Sequence, residues 1–234
     1  MSKQCKLILA LDLPDRESAL DMLAKLQGSL EWVKIGLQMY LKYGADFVRE
    51  VGKMGFKIFL DLKLYDIPNT VASAVKSLSG LPISMLTIHT SGGEEMMKAA
   101  LQAAAETNPN LEILGVTVLT SFNEEAMRAT GFERTTPEQV LKLALLAQKS
   151  GLKGLVCSPL EIGLLRENLG SEIDLITPGI RPAGSEANEQ KRVMTPSLAA
   201  KAGSSFIVVG RPILKAENPA QAAKSIMAEL ENAQ

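Results

Sequence analysis

Lys57-Ile58-Phe59-Leu60-Asp61-Leu62-Lys63-Leu64-Tyr65-Asp66 passes from an unbroken apolar run into closely spaced charges. A short apolar run with no polar alternation is the pattern of a strand covered on both faces, as in a parallel sheet. Seven more segments read in the same way: Leu7–Leu11, Trp32–Leu37, Ser84–Ile88, Ile113–Leu119, Gly154–Cys157, Ile173–Ile176 and Phe206–Val209. Each precedes a stretch with helical spacing, such as Leu20, Leu23 and Leu26, or Val140, Leu143, Ala144 and Ala147. Helix starts are expected at Thr136-Pro137-Glu138-Gln139, with Thr136 as N-cap, and at Thr195-Pro196 and Asn218-Pro219. Gly203 suits a left-handed helix end. Eight strand-then-helix units spaced roughly 20 to 40 residues apart predict an α/β, single-domain TIM (β/α)8 barrel over residues 1–234. A doubly wound open sheet is the rival, but the first strand lacks the G-x-G-x-x-G turn of dinucleotide-binding folds.

Composition narrows the function. The chain has 234 residues, 46% hydrophobic and 22% charged, which fits a globular protein rather than a disordered one. Its 25 Lys and Arg against 26 Asp and Glu leave no diffuse basic field for nucleic acid or an anionic membrane, so any bound anion needs placed charges. Cys5 and Cys157 are the two cysteines and form no CxxC pair, which predicts neither a disulfide scaffold nor a zinc site and points to the reducing cytoplasm. His89 is the one histidine, which excludes metal sites built on several imidazoles. The apolar run Leu7–Leu11 ends at Asp12, too short for a signal peptide core, and no segment approaches a membrane span.

In a barrel of this kind the chemistry sits at the C-terminal strand ends. Those ends offer Asp12, Lys34, Asp61 with Lys63, His89, Thr120 with Ser121, Ser158, Thr177-Pro178-Gly179 and Gly210-Arg211. On an extended strand Asp61 and Lys63 face the same side, and burying both is costly unless they pair or work. A pair that merely closes the barrel is the plainer reading of 61 and 63 alone. Asp12 and Lys34 from the two preceding strands favour a network of alternating charges instead. The loops after strands seven and eight are the usual phosphate-binding place, which selects Arg211 beside Gly210 over an Arg paired with a helix carboxylate. Pro182 to Arg192 is small and polar and reads as a mobile lid or an idle surface loop. His89 reads as a hydrogen-bonded structural residue, and Met96-Met97 with Ala99–Ala105 as helix packing surface.

Asp61-x-Lys63-x-x-Asp66-Ile67-Pro68-Asn69-Thr70 resembles the signature of the orotidine 5′-phosphate decarboxylase family. Leu9-Ala10-Leu11-Asp12, Val33-Lys34-Ile35-Gly36, Leu119-Thr120-Ser121, Pro178-Gly179-Ile180-Arg181 and Val209-Gly210-Arg211-Pro212 resemble further family motifs, in the family's order. The resemblance implies a cofactor-free carboxy-lyase that forms UMP and CO2 in the last step of de novo UMP synthesis. It makes Lys63 the proton donor to C6 of the pyrimidine, flanked by Asp61 and Asp66, with Lys34 in the charge network. Asp12, Lys34 and Thr70 would hold ribose hydroxyls or support the charges, and Thr120 and Ser121 would meet the pyrimidine edge. Arg181, Gln190, Gly210 and Arg211 would bind the phosphate and anchor the lid. The resemblance also implies a homodimer in which Asp66 and its neighbours reach the partner's site, without metal, membrane or nucleic-acid partners. Lys63 between two carboxylates is expected to stay protonated, which disfavours a Schiff-base aldolase. Sugar-phosphate decarboxylases and hexulose-phosphate synthases share D-x-K-x-x-D but take an acidic metal ligand after the second strand, where this chain has Lys34. An inactive ligand sensor on the same scaffold would be expected to have lost Lys63 or one of its acids.

Overall fold

In the computed structural model, which describes residues 4–182 and 194–233, all eight apolar runs become neighbouring parallel strands. The first half runs β1 (Lys6–Ala10), α1 (Arg16–Leu26), β2 (Trp32–Gly36), α2 (Leu37–Lys53), β3 (Lys57–Leu64), α3 (Pro68–Ser77), β4 (Ile83–His89) and α4 (Gly93–Thr107). The second half runs β5 (Glu112–Val116), α5 (Glu124–Ala129), α6 (Thr136–Lys149), β6 (Gly154–Val156), α7 (Ile162–Leu169) and β7 (Asp174–Pro178). It ends with α8 (Pro196–Ala202), β8 (Phe206–Val209), α9 (Arg211–Leu214) and α10 (Pro219–Glu231). Each strand pairs with the next and β8 returns to β1, closing the barrel.

Strand periodicity sorts the side chains. One set points outward and packs under the helices, among them Leu9, Val33, Ile35, Leu60, Leu86 and Ile207. The other points inward, where Ile8, Ala10, Trp32, Phe59, Met85, Leu114, Ile176, Phe206 and Val208 fill the barrel. Trp32 and Phe206 meet edge to face there, with ring centroids 5.3 Å apart. Because the inward series repeats every second residue, two steps on from Ala10, Trp32, Phe59 and Met85 stand Asp12, Lys34, Asp61 and Thr87. On these four strands the inward series thus changes from apolar to polar toward the C-terminal end.

Local signals refine the expected boundaries. Thr195 and Asn218 cap α8 and α10 through their side chains, and Gly203 ends α8 at φ 102°. Helix α6 starts one residue earlier than expected. Thr135 is its N-cap, donating through backbone N–H and hydroxyl to Glu138, while the Thr136 N–H is taken by Glu124. Glu138 can reach back from the third helical position, whereas Gln139 is turned into the core. Met96, Met97, Ala100, Ala103 and Ala104 are the packing face of α4, as the sequence suggests. Among the described residues no helix is long and apolar enough to cross a membrane.

Candidate active site

The C-terminal mouth of the barrel holds a cavity of about 500 Å³. Its floor is the top of the barrel interior, with Ala10, Phe59, Val116, Val156 and Val208. Asp12, Lys34, Asp61 and Lys63 line one side, and Pro178, Gly179, Arg181, Gly210 and Arg211 line the other. The halves come from β1–β3 and β7–β8, which closure makes neighbours through the β8–β1 pair.

Asp61 is the hub of the first side. Its Oδ1 accepts from Lys63 Nζ at 2.8 Å and from the Thr87 hydroxyl at 2.9 Å. Its Oδ2 lies 3.4 Å from Lys34 Nζ, which lies 3.7 Å from Asp12 Oδ1. Asp61 is buried, and burial alone would raise its carboxyl pKa. The charges of Lys34 and Lys63, with the hydrogen bonds from Lys63 and Thr87, more than offset this and hold it below the ordinary carboxylate value. A Cβ at Gly36 would stand 3.1 Å from Lys34 Nζ, so glycine at the end of β2 leaves the ammonium its place.

The expected alternation of Asp61 and Lys63 on a regular strand is not how they meet. Leu60 pairs with Leu86 and Leu64 with Ile88, so three β3 residues stand opposite one β4 residue, Thr87. Lys63 sits in this bulge at φ 51°, the one non-glycine positive φ among the described residues. Such a conformation costs about 1–2 kcal/mol, and bulges beside active sites redirect side chains. The pair therefore meets through a bulge rather than through strand pleating. Thr87 was not a candidate in the sequence, because a β-branched residue within an apolar strand looks ordinary. Its one signal is polarity at an inward position beside Asp61.

On the opposite side, Arg181 is buried and donates through Nη1 to the Ile180 carbonyl at 3.0 Å. Arg211 opens α9 beside Gly210, where a Cβ would stand 3.4 Å from Ala10 Cβ. Among the described residues neither Arg181 nor Arg211 has a carboxylate partner. Burial first, and then the like charge of Arg211, lower the Arg181 pKa. Two guanidiniums without a carboxylate partner among the described residues, both lining one cavity, suit a dianionic group. Ile180 bridges Met194, and the Arg181 N–H donates to the Met194 carbonyl at 3.0 Å. Gln190 and nearly all of the expected lid lie outside the described residues.

The remaining candidates divide. Thr120 lines the cavity, whereas Ser121 is exposed and does not. Asp66 and Thr70 are exposed beyond the cavity lining; Asp66 accepts from the Ile67 N–H at 2.7 Å, and the Thr70 N–H donates to the Ile67 carbonyl at 3.0 Å. Among the described residues neither side chain hydrogen-bonds or ion-pairs with Lys63, which is held by Asp61. His89 stacks at an angle on Tyr65, ring centroids 5.7 Å apart, and no described residue hydrogen-bonds its ring, contrary to expectation. Burial and the Lys63 charge, against Asp61, lower its pKa and favour the neutral imidazole. Cys157 also lines the cavity, but burial pushes its thiol up to about 12. Among the described residues no three His, Cys, Asp or Glu are grouped to hold a metal ion.

Comparison with known proteins agrees with this geometry. The sequence model of the "Orotidine 5′-phosphate decarboxylase / HUMPS family" matches residues 5–226. The chain is 52% identical to an Opitutus terrae protein named orotidine 5′-phosphate decarboxylase, over 97% of this chain and 99% of the relative. An Actinobacillus succinogenes protein of the same name is 46% identical over 97% of this chain and 98% of its own length. The crystal structure of orotidine 5′-phosphate decarboxylase from Lactobacillus acidophilus superposes with a TM-score of 0.87 at 39% identity, covering 97% of this chain and 99% of that one. With the barrel, its Asp–Lys mouth and nearly the whole length of the chain in common, this protein belongs to the orotidine 5′-phosphate decarboxylase / HUMPS family.

Proposed function

We propose that this protein decarboxylates orotidine 5′-phosphate to UMP and CO2, acting as one barrel unit over residues 1–234. The observation that supports the reading is the Lys63 ammonium, held at 2.8 Å by a buried Asp61 that Lys34 also contacts, in one cavity with two arginines that have no carboxylate partner among the described residues. The relatives' shared name supplies the substrate.

In this reading the chemistry follows one order. Arg211 and Arg181, with Gly210 giving backbone access, take the 5′-phosphate, and that remote binding energy holds the pyrimidine over the apolar floor. Gln190 belongs with them in this reading. Asp12 and Lys34 meet the ribose hydroxyls, while Thr120 meets the pyrimidine edge. The bond from C6 to the carboxylate breaks, its electron pair stays on C6, and CO2 leaves. Lys63 gives a proton from Nζ to C6, so the developing carbanion faces a fixed ammonium rather than reorganising water. Asp61 anchors that ammonium. In this reading charge placement carries the barrier lowering.

The active unit in this reading is a homodimer in the cytoplasm. Tyr65, Ile67, Leu37 and Leu41 are exposed apolar side chains on the connections that follow β2 and β3, and a second chain would cover them. Asp66 and Thr70 lie on the same rim and would reach the partner's cavity, completing the carboxylate flank of its lysine.

A second reading, metal-dependent decarboxylation or aldol chemistry on a sugar phosphate, is raised by the family's description. It needs an oxygen donor at the position of Lys34, and an ammonium has no lone pair to offer. Turnover of orotidine 5′-phosphate in excess chelator, followed by pyrimidine absorbance, separates the two. Conversion to UMP that survives chelation supports the decarboxylase. No conversion, or conversion only of a sugar phosphate with Mg²⁺, overturns it.

A further inference from the structure

We propose that Thr87 is a positioning residue that locks the Lys63 ammonium in place from behind the cavity. The inference rests on the decarboxylase reading of the site. Thr87 lies on β4, is fully buried and does not line the cavity. Its hydroxyl accepts from the Lys63 backbone N–H at 2.9 Å and donates to Asp61 Oδ1 at 2.9 Å. That same Oδ1 accepts from Lys63 Nζ at 2.8 Å. The links form a closed ring: Lys63 main chain, Thr87 hydroxyl, Asp61 carboxylate, Lys63 side chain. One hydroxyl thereby ties both ends of the lysine to the same carboxylate oxygen.

The ring stands where the β3–β4 ladder fails. Asp61, Leu62 and Lys63 face the single residue Thr87, so the Lys63 N–H has no strand carbonyl opposite it. A hydroxyl serves both needs there, since it donates one proton and accepts on its lone pairs. A left-handed non-glycine residue persists only where its surroundings over-determine it, and Thr87 supplies that constraint at Lys63. Orienting Asp61 through a neutral donor also leaves its charge for the two lysines, where a third cation would compete.

The test compares Thr87→Val and Thr87→Ser with wild type. Valine keeps the shape and removes the hydroxyl, orphaning a backbone donor and one carboxylate contact; serine keeps the ring. For Thr87→Val, kcat on orotidine 5′-phosphate is expected to fall about 10- to 100-fold. KM should stay within about threefold, because the phosphate-binding arginines are untouched. The acid limb of kcat/KM against pH should move upward, since Asp61 loses a hydrogen bond that favours its ionised form. Thr87→Ser should recover most of kcat and return the limb. In amide hydrogen exchange, Lys63 should lose protection in the valine variant and keep it in the serine variant. A folded Thr87→Val enzyme with wild-type kcat and acid limb overturns the inference, as does a Thr87→Ser enzyme as slow as the valine variant. Wild type inactive on orotidine 5′-phosphate overturns the decarboxylase reading and this inference with it, a result distinct from an active wild type that is indifferent to Thr87.

Discussion

Replacing Lys34 with methionine keeps an unbranched apolar stem and removes one charge from the hub. Lys34 Nζ lies 3.4 Å from Asp61 Oδ2, and the two side chains retain 13% and 11% exposure. Its contact with Asp12 is longer, at 3.7 Å, and Asp12 is 55% exposed, so solvent screens that pair and the Asp61 contact sets the effect. At an effective dielectric of about 20, attraction over this 3.4 Å is about 5 kcal/mol before desolvation. Breaking a buried pair from one side costs about 3–5 kcal/mol. Lys63 and Thr87 stay on the other carboxylate oxygen, so a loss at or just below the bottom of that range, about 2–3 kcal/mol, is expected at pH 7. The pH dependence follows from Asp61. Burial raises its carboxyl, but the lysines and hydrogen bonds bring it below the usual value. A carboxyl depressed in the folded state adds stability above its unfolded pKa of about 3.9, and that stability fades as pH falls through the lower folded value. Removing Lys34 raises the folded value, so the gap between wild type and variant is complete near pH 7 and narrows as pH falls through the variant's raised value toward the lower wild-type one. Urea unfolding read by Trp32 fluorescence at pH 7, 5 and 3.5 measures this, since Trp32 is the one tryptophan and lies inside the barrel. A gap below about 0.5 kcal/mol at pH 7, or one that does not shrink in acid, refutes the reasoning.

Three further outcomes are expected. Gly36→Ala places a methyl 3.1 Å from Lys34 Nζ, and displacing that ammonium by a few tenths of an ångström should lower kcat/KM about tenfold with little change in Tm; an unchanged kcat/KM contradicts the close approach. Arg211→Ala should raise KM for orotidine 5′-phosphate about 10- to 100-fold and weaken competitive inhibition by inorganic phosphate; an unchanged KM removes Arg211 from the anion site. Burial pushes the Cys5 and Cys157 thiols up to about 12, so a thiol reagent at pH 8 should label the folded protein very slowly and both cysteines once urea unfolds it. Fast labelling of the folded chain contradicts that burial.

Much of this architecture is written in one-dimensional pattern. The eight apolar runs stand out because strands covered on both faces need no alternation, and every one became a strand with ends moved by a few residues. Asp12, Lys34, Asp61 and Arg211 are legible because charges at apolar strand ends need an explanation. Thr87 is not, because its role depends on a bulge that only the pairing of β3 with β4 reveals. Lys63 is legible for an incomplete reason, since alternation puts it on the right side but says nothing of its positive φ. The α6 cap was misplaced by one residue because Thr135 and Thr136 are alike in sequence and differ only in what Glu124 and Glu138 can reach. Asp66 and Thr70 carry a family motif yet stand outside the single chain's cavity, which no spacing argument within one chain resolves.

The central claim is that the Lys63 ammonium, fixed on Asp61, supplies the proton and the charge stabilisation at C6. Its most direct test is Lys63→Ala, with orotidine 5′-phosphate turnover and UMP binding measured on the same preparation. The account predicts turnover reduced by at least about 10³-fold with UMP affinity within about tenfold of wild type, because the arginines opposite are intact. Turnover within about tenfold of wild type by a variant that still binds UMP would contradict it.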